Sequence, residues 1–302
     1  MLFPFFADIF IFSFKNAHTS RMSNRLFTAF ACLLTVATCS FCACAQTEIP
    51  APIPPSSIEE SSVEQIPAPL PQENSPFWDD AGVDLSKVRT ERKLVALTFD
   101  DAPRNKLENL LAVFTSFNEN NPDCHASATV FCNGNLLDEH ARTLLHTALV
   151  AGWELGNHTQ NHLDLTALST QEQRFEIDST DALLQTVDGN ARHLLRAPFG
   201  RIDDRIRALA NAPIIDWTVD TRDWTGVSAE TIVREVLSKI YAGAIVLMHD
   251  GFEQTVEAVK TLLPALKSAG YQAVSVSAMA KAHACKLRNG SVYIRARKRG
   301  KA

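Results

Sequence analysis

From residue 93 onward, short apolar runs alternate with longer stretches in which apolar side chains recur every three or four positions. The first run, 94–99 (LVALTF), reads as a buried strand, and 107–118 as an amphipathic helix. The same alternation predicts strands at 128–132, 154–156, 194–196, 214–219, 244–248 and 272–276. Helices at 139–152, 170–187, 203–212, 229–242 and 255–269 fall between them. Strands separated by helices imply one α/β domain with mostly parallel strands, each return path supplied by a helix. A closed barrel and an open sheet both satisfy the pattern, and either gathers ligands at the carboxyl ends of its strands.

Ahead of this domain the pattern changes twice. Arg21 and Arg25 precede an uncharged run at 26–45 that ends in Ala43-Cys44-Ala45 before Gln46, so 1–45 reads as an export signal, with Met22 a candidate true start. The run is also long enough to cross a bilayer. A cleaved signal, an uncleaved membrane anchor and a lipoprotein acylated at Cys39 or Cys44 therefore stay open, and each takes the chain to the periplasm, the cell envelope or the exterior. Between 46 and 76, prolines recur among Ser, Glu and Gln, the composition of an extended linker that cannot bury a core. The folded domain is then expected over 77–280. In the remainder, 281–302, Lys and Arg are opposed by no Asp or Glu, which reads as a basic tail, either solvated or in contact with anionic polymer or lipid.

Composition narrows the classes further. Of 302 residues, 46% are hydrophobic and 21% charged, which disfavours disorder, a polytopic membrane protein and a rod. A net charge of −5, from 29 basic and 34 acidic residues, argues against generic nucleic-acid binding. Cys32, Cys39, Cys42 and Cys44 lie inside the uncharged N-terminal run at 26–45, leaving Cys124, Cys132 and Cys285 for the domain. An odd number gives no disulfide framework, and Cys132 in its apolar run reads as a buried free thiol.

Polar clusters follow the predicted strands. Asp100 and Asp101 end the first, where successive side chains on an extended segment point different ways. His158 and His162 stand at i and i+4, a spacing that puts both on one face of a helical turn and lets them grip a single ion. With Asp101 they form a set of two imidazoles and one carboxylate that leaves a coordination position open. Arg196, before Pro198-Phe199-Gly200, is placed to pair with a carboxylate. Residues 216–224 bring acids and aromatics together, and 245–248 delivers His249 to a strand end. Singly, each has an ordinary structural reading: a capping pair, a surface charge, a core tryptophan, a satisfied histidine.

Taken in order, TFDDAP, HTQNH, RAPFG, DTRDW and LMHD resemble the five motifs of the polysaccharide deacetylases with a NodB homology domain, carbohydrate esterase family 4, over 94–279. The resemblance implies a distorted (β/α) barrel as a single catalytic domain. It implies metal binding by Asp101, His158 and His162, with Asp100 as general base oriented by Arg196 and His249 as general acid held by Asp223. Trp224 and Leu247 would line the pocket for the acetyl methyl group, and the backbone N–H of Phe199 would help bind the oxyanion. The implied activity is removal of N-acetyl groups from an N-acetylglucosamine-containing polysaccharide. Peptidoglycan is the favoured partner, because the export signal and spacer suit a bacterial envelope. O-deacetylation of acetylxylan uses the same machinery, and a non-catalytic exported sugar-binding module is the alternative of a different class. Zinc is the expected cofactor, although the donor set also accepts cobalt or nickel. Two positions depart from the family pattern. Ala102 stands where Gly is usual and would be strained at φ > 0, and Phe199 replaces the usual Tyr.

Overall fold

In the computed structural model, which describes residues 75–296, the apolar run at 94–99 lies within strand β1 (Lys93–Ala102) and is buried throughout. Its side chains alternate. Val95, Leu97 and Phe99 join a core beneath the helices, whereas Leu94 and Ala96 join a second core with Phe131, Leu194, Ile215 and Ile245 on the other face of the strands. Continuing on that second face come Thr98 and Asp100, so the period of two that buries the strand also delivers a carboxylate to its carboxyl end.

The remaining elements are α1 (Leu107–Asn120), β2 (Thr129–Cys132), α2 (Glu139–Val150), β3 (Glu154–Asn157), α3 (Thr170–Asp188), β4 (Leu194–Leu195), α4 (Asp204–Leu209), β5 (Ile214–Ile215), β6 (Val219–Asp220), α5 (Ala229–Lys239), β7 (Ile245–His249), α6 (Glu253–Ser268), β8 (Tyr271–Val274), α7 (Val276–Ala282) and β9 (Val292–Tyr293). The strands run in the order β6-β7-β1-β2-β3-β4-β5-β9, with β8 also paired to β1, and their ladders are parallel. Past β9 the chain bridges Ala244 through Arg295, and Ala296 N donates to Gly243 O at 3.0 Å, which joins the two ends of the strand order. The result is the distorted (β/α) barrel anticipated above, with an inner core inside the strands and the larger core between strands and helices.

Three local expectations change. The single strand expected at 214–219 is two short ones, because Asp216 N turns to Tyr293 O while Thr218 N turns to Ile245 O, changing partners in mid-run. Helix α7 and strand β9 have no counterpart in the sequence reading. Residues 281–296, read there as tail, are built into the domain: Lys281 Nζ donates to Asp80 O and Val83 O, each at 2.8 Å, and Ile214 and Ile215 pair with Val292 and Tyr293. Basic side chains on the flanks of a two-residue strand mask its apolar signal.

The segment entering the domain packs at the amino ends of the strands. Phe77 bridges Arg288, Trp78 N donates to Leu287 O, and Trp78 Nε1 reaches Ser277 Oγ at 3.2 Å. The export signal and the linker up to residue 74 lie outside the described residues. Among those described, no helix is long and apolar enough to cross a membrane. Cys124, Cys132 and Cys285 are free thiols, and burial pushes the Cys132 thiol strongly up.

Candidate metal centre and active site

Strict alternation along β1 would send Asp101 to the face opposite Asp100. Instead the register with β2 slips between Phe99 and Ala102, and Asp101 takes up φ 61°. Both carboxylates consequently face one cleft, with His158 Nε2 3.7 Å from Asp100 Oδ2 and 3.7 Å from Asp101 Oδ1. The left-handed residue of this turn is Asp101 rather than Ala102, so the strain foreseen for an alanine does not arise, and the Ala102 methyl is fully buried.

The two histidines meet by a different route from the one their spacing suggests. Strand β3 ends at Asn157, and 158–162 is a loop rather than a helical turn, with Thr159 at φ 70° and His162 at φ 55°. The imidazole centroids lie 4.9 Å apart. His158 Nδ1 donates to Arg196 O at 2.7 Å, which fixes the tautomer and leaves Nε2 as a lone-pair donor. Burial holds the His158 pKa below the ordinary value, against the pull of Asp100 and Asp101. His162 Nε2 lies 3.3 Å from Asp101 Oδ1. One ligand atom from each of Asp101, His158 and His162 falls within 4.8 Å of the others. Two imidazoles, one locked with its lone pair toward a carboxylate, make a donor set that fits a divalent cation such as zinc or cobalt.

Arg196, fully buried, crosses the interior behind this trio. Its Nη1 donates to Asp100 Oδ1 and Thr98 Oγ1, both at 2.7 Å, while Nε donates to Ile215 O at 2.9 Å and Nη2 to Asp216 O at 3.3 Å. The guanidinium lies 4.0 Å from the Phe131 ring centroid. That ring fits because β3 carries Gly156, where a Cβ would stand 2.5 Å from Phe131. Burial alone would raise the Asp100 pKa, but the Arg196 charge, assisted by His158 and His249, holds it below the usual carboxylate range.

Across the β1–β7 ladder, Asp100 pairs with His249. His249 Nδ1 is 2.8 Å from Asp223 Oδ1, and its backbone N donates to Asp223 Oδ2 at 2.8 Å. Asp223 is itself sealed from solvent, accepting from Thr255 Oγ1 at 2.6 Å and from Trp224 N at 3.0 Å. Burial pulls the His249 pKa down, yet the hydrogen bond to Asp223 and the surrounding carboxylates outweigh it and leave the pKa raised.

The residues expected at the pocket differ in their setting. Leu247 lies one alternation before His249 on β7, opposite Thr98, and is buried. Phe199 sits at φ 61° with 61% of its surface exposed, its ring 4.8 Å from His162. Trp224 joins the cluster through its backbone, and the residue is 57% exposed. Thr98, Thr255 and Asp250 were missed by the sequence reading. Asp250 N donates to Asp100 O at 2.9 Å, while its carboxylate accepts from Lys106 N at 3.0 Å and from Arg104 N, tying the loop after β1 to the end of β7. Burial pushes its pKa up to about 6, against these backbone donors. A polar Thr98 inside an apolar run was the signal available for the first of the three.

Comparison with known proteins adds an independent line. A family model described as polysaccharide deacetylase matches residues 87–213. A peptidoglycan-N-acetylmuramic acid deacetylase of Bacillus subtilis is 31% identical over 63% of this chain and 39% of its own length. The chain thus spans about two-fifths of that relative. A shorter peptidoglycan-N-acetylglucosamine deacetylase of Bacillus cereus is 33% identical over 63% of this chain and 90% of its own. Among solved structures, a family 4 acetyl xylan esterase from Clostridium thermocellum in complex with a cobalt ion superposes with a TM-score of 0.62 at 25% identity, covering 67% of this chain and 98% of that one.

Proposed function

Since the chain belongs to the polysaccharide deacetylase family, we propose that it is a metal-dependent hydrolase that removes N-acetyl groups from N-acetylglucosamine units of peptidoglycan in the cell envelope. One observation carries the reading: Asp100, paired with Arg196, and His249, paired with Asp223, flank a two-histidine, one-carboxylate trio at the carboxyl ends of β1, β3 and β7.

Asp101, His158 and His162 would hold the ion, zinc by this reading. A divalent cation there polarises an acyl carbonyl and acidifies water. The protein's own groups then divide the work. Asp100, kept ionised by Arg196, takes a proton from the attacking water. The Phe199 N–H, at the turn beside His162, donates to the oxyanion as the carbonyl carbon becomes tetrahedral. His249, kept protonated by Asp223, supplies the proton without which an amine is a poor leaving group. Leu247 closes the apolar side around the acetyl methyl, and the exposed Trp224 and Phe199 rings offer faces to sugar. In this scheme 1–45 directs export, 46–76 spaces the catalytic domain from the envelope or membrane, and the basic end contacts anionic wall polymer.

Acetate release should be measured on peptidoglycan, N-acetylglucosamine oligomers and acetylxylan, with and without a chelator. Release from peptidoglycan that stops on chelation and returns with zinc is the expected result. Release from acetylxylan alone would make the chain an O-deacetylase, the reading favoured by the likeness to the acetyl xylan esterase. Release from none of them would leave a sugar-binding module. His158→Ala should purify with less than one equivalent of metal, and unchanged metal content would refute its role as a ligand.

The pH profile of kcat should be bell-shaped, because Asp100 must be ionised and His249 protonated. Asp223→Asn removes the carboxylate charge that helps raise the His249 pKa, weakens the hydrogen bond to its ring, and leaves the burial that lowers it. The alkaline limb is therefore expected at lower pH in that variant, and an unmoved limb would detach His249 from the acid role.

A further inference from the structure

The stretch 157–162 repeats Asn-His at an interval of four, as Asn157-His158 and Asn161-His162. Each asparagine is tied to α3. Asn161 N and Nδ2 donate to Glu176 Oε2 and Oε1, both at 2.8 Å, and Gln160 N donates to Glu176 O at 2.9 Å. Asn157 Nδ2 donates to Ile177 O at 2.9 Å and to Asp181 Oδ1 at 2.8 Å, while Asn157 Oδ1 accepts from Thr159 N at 2.8 Å. With both Nδ2 hydrogens taken by α3, the amide can present only its oxygen to Thr159, the residue held at φ 70° between the two histidines. Asn157, Glu176 and Asp181 are all buried.

Behind them, His193 Nδ1 lies 3.0 Å from Asp181 Oδ1, and Nε2 lies 3.2 Å from either oxygen of Asp188. Both ring nitrogens face carboxylates, so both donate and the ring is an imidazolium. Burial alone would lower its pKa, but the hydrogen bonds and charges of Asp181 and Asp188 push it up to about 9. None of these bonds uses the imidazoles of His158 or His162. The bonds of Asn157, Thr159 and Asn161 fall on the residues next to those histidines.

We propose that the acidic face of α3 is a clamp that sets the spacing of the two imidazoles, with Glu176 and Asp181 as positioning residues acting through Asn161 and Asn157, and His193 as the counter-charge to Asp181. This rests on the reading of His158 and His162 as metal ligands. A network that merely stabilised the fold would show itself in the melting temperature and leave metal affinity unchanged. A clamp shows itself in metal affinity at constant fold.

The test uses Glu176→Gln, Asp181→Asn and the double variant in the full chain, with Gln171→Ala on the exposed first turn of α3 as control. Zinc binding is read by competition with a chromophoric chelator, and amide hydrogen exchange is read on the metal-free protein. Each single variant is expected to lose zinc affinity by about tenfold to a hundredfold. In the metal-free protein, Asn161 should lose protection in Glu176→Gln and Thr159 in Asp181→Asn. Unchanged zinc affinity in a folded double variant overturns the proposal, and if Asp181→Asn does not fold, Glu176→Gln decides by the same readouts. Should the wild type bind no zinc, the ligand reading falls while exchange still judges the clamp: protection lost at Thr159 and Asn161 supports it, and unchanged protection there overturns it.

Discussion

Asp100→Asn is expected to lower kcat on an N-acetylated glycan by about 10²–10⁴-fold while leaving zinc content at the wild-type level. The substitution is nearly isosteric, and an amide oxygen can still accept from Arg196 Nη1, so the interior should stay packed. What disappears is the basic lone pair. In the proposed mechanism Arg196 serves that basicity indirectly, its charge opposing the burial that would otherwise raise the Asp100 pKa. Single-turnover acetate release together with metal analysis checks the prediction. Activity near the wild-type level would transfer the base role to another group, and a parallel loss of zinc would make Asp100 a ligand.

Arg196→Met is expected to destabilise the domain by about 3–5 kcal/mol, the range for removing one partner of a buried ion pair. Methionine can cover the Phe131 face, yet it leaves Asp100, Thr98 Oγ1 and the carbonyls of Ile215 and Asp216 without the donors they have. With the main influence holding it down removed, burial governs Asp100, and the acid limb of the activity profile should move to higher pH. Urea denaturation at pH 7 reads the first effect and the pH profile of kcat the second. A variant that keeps both stability and the acid limb would show that Arg196 does not govern Asp100. The backbone contact from Arg196 O to His158 Nδ1 does not depend on the side chain, so zinc affinity should fall much less than turnover.

The parts of this architecture visible in the sequence are those written in side-chain periodicity. The apolar run at 94–99 foretold the buried strand with the carboxylates of Asp100 and Asp101 at its end, and the strand–helix rhythm foretold parallel pairing. What escaped was written in backbone conformation. Nothing in the letters Asp100-Asp101 says that the second adopts a left-handed conformation and swings onto the same side as the first. An interval of four between histidines is equally compatible with a helical turn and with the loop observed, because two left-handed residues can fold a loop back over the same distance. Two-residue strands such as β4, β5 and β9 are too short to show any period, and β9 is further masked by its basic neighbours. Thr255, Lys106 and Asp181, partners of Asp223, Asp250 and Asn157, lie 24 or more residues away along the chain, where only the folded domain brings them near.

The placement of the domain's two ends carries one more consequence. Chain entry near residue 77 and exit at 296 are both fastened at the amino pole of the barrel, whereas the cleft opens at the carboxyl pole. Under the proposed function, a tether at either end would pull from the back of the domain, and a glycan strand could thread the front without meeting the domain's own moorings.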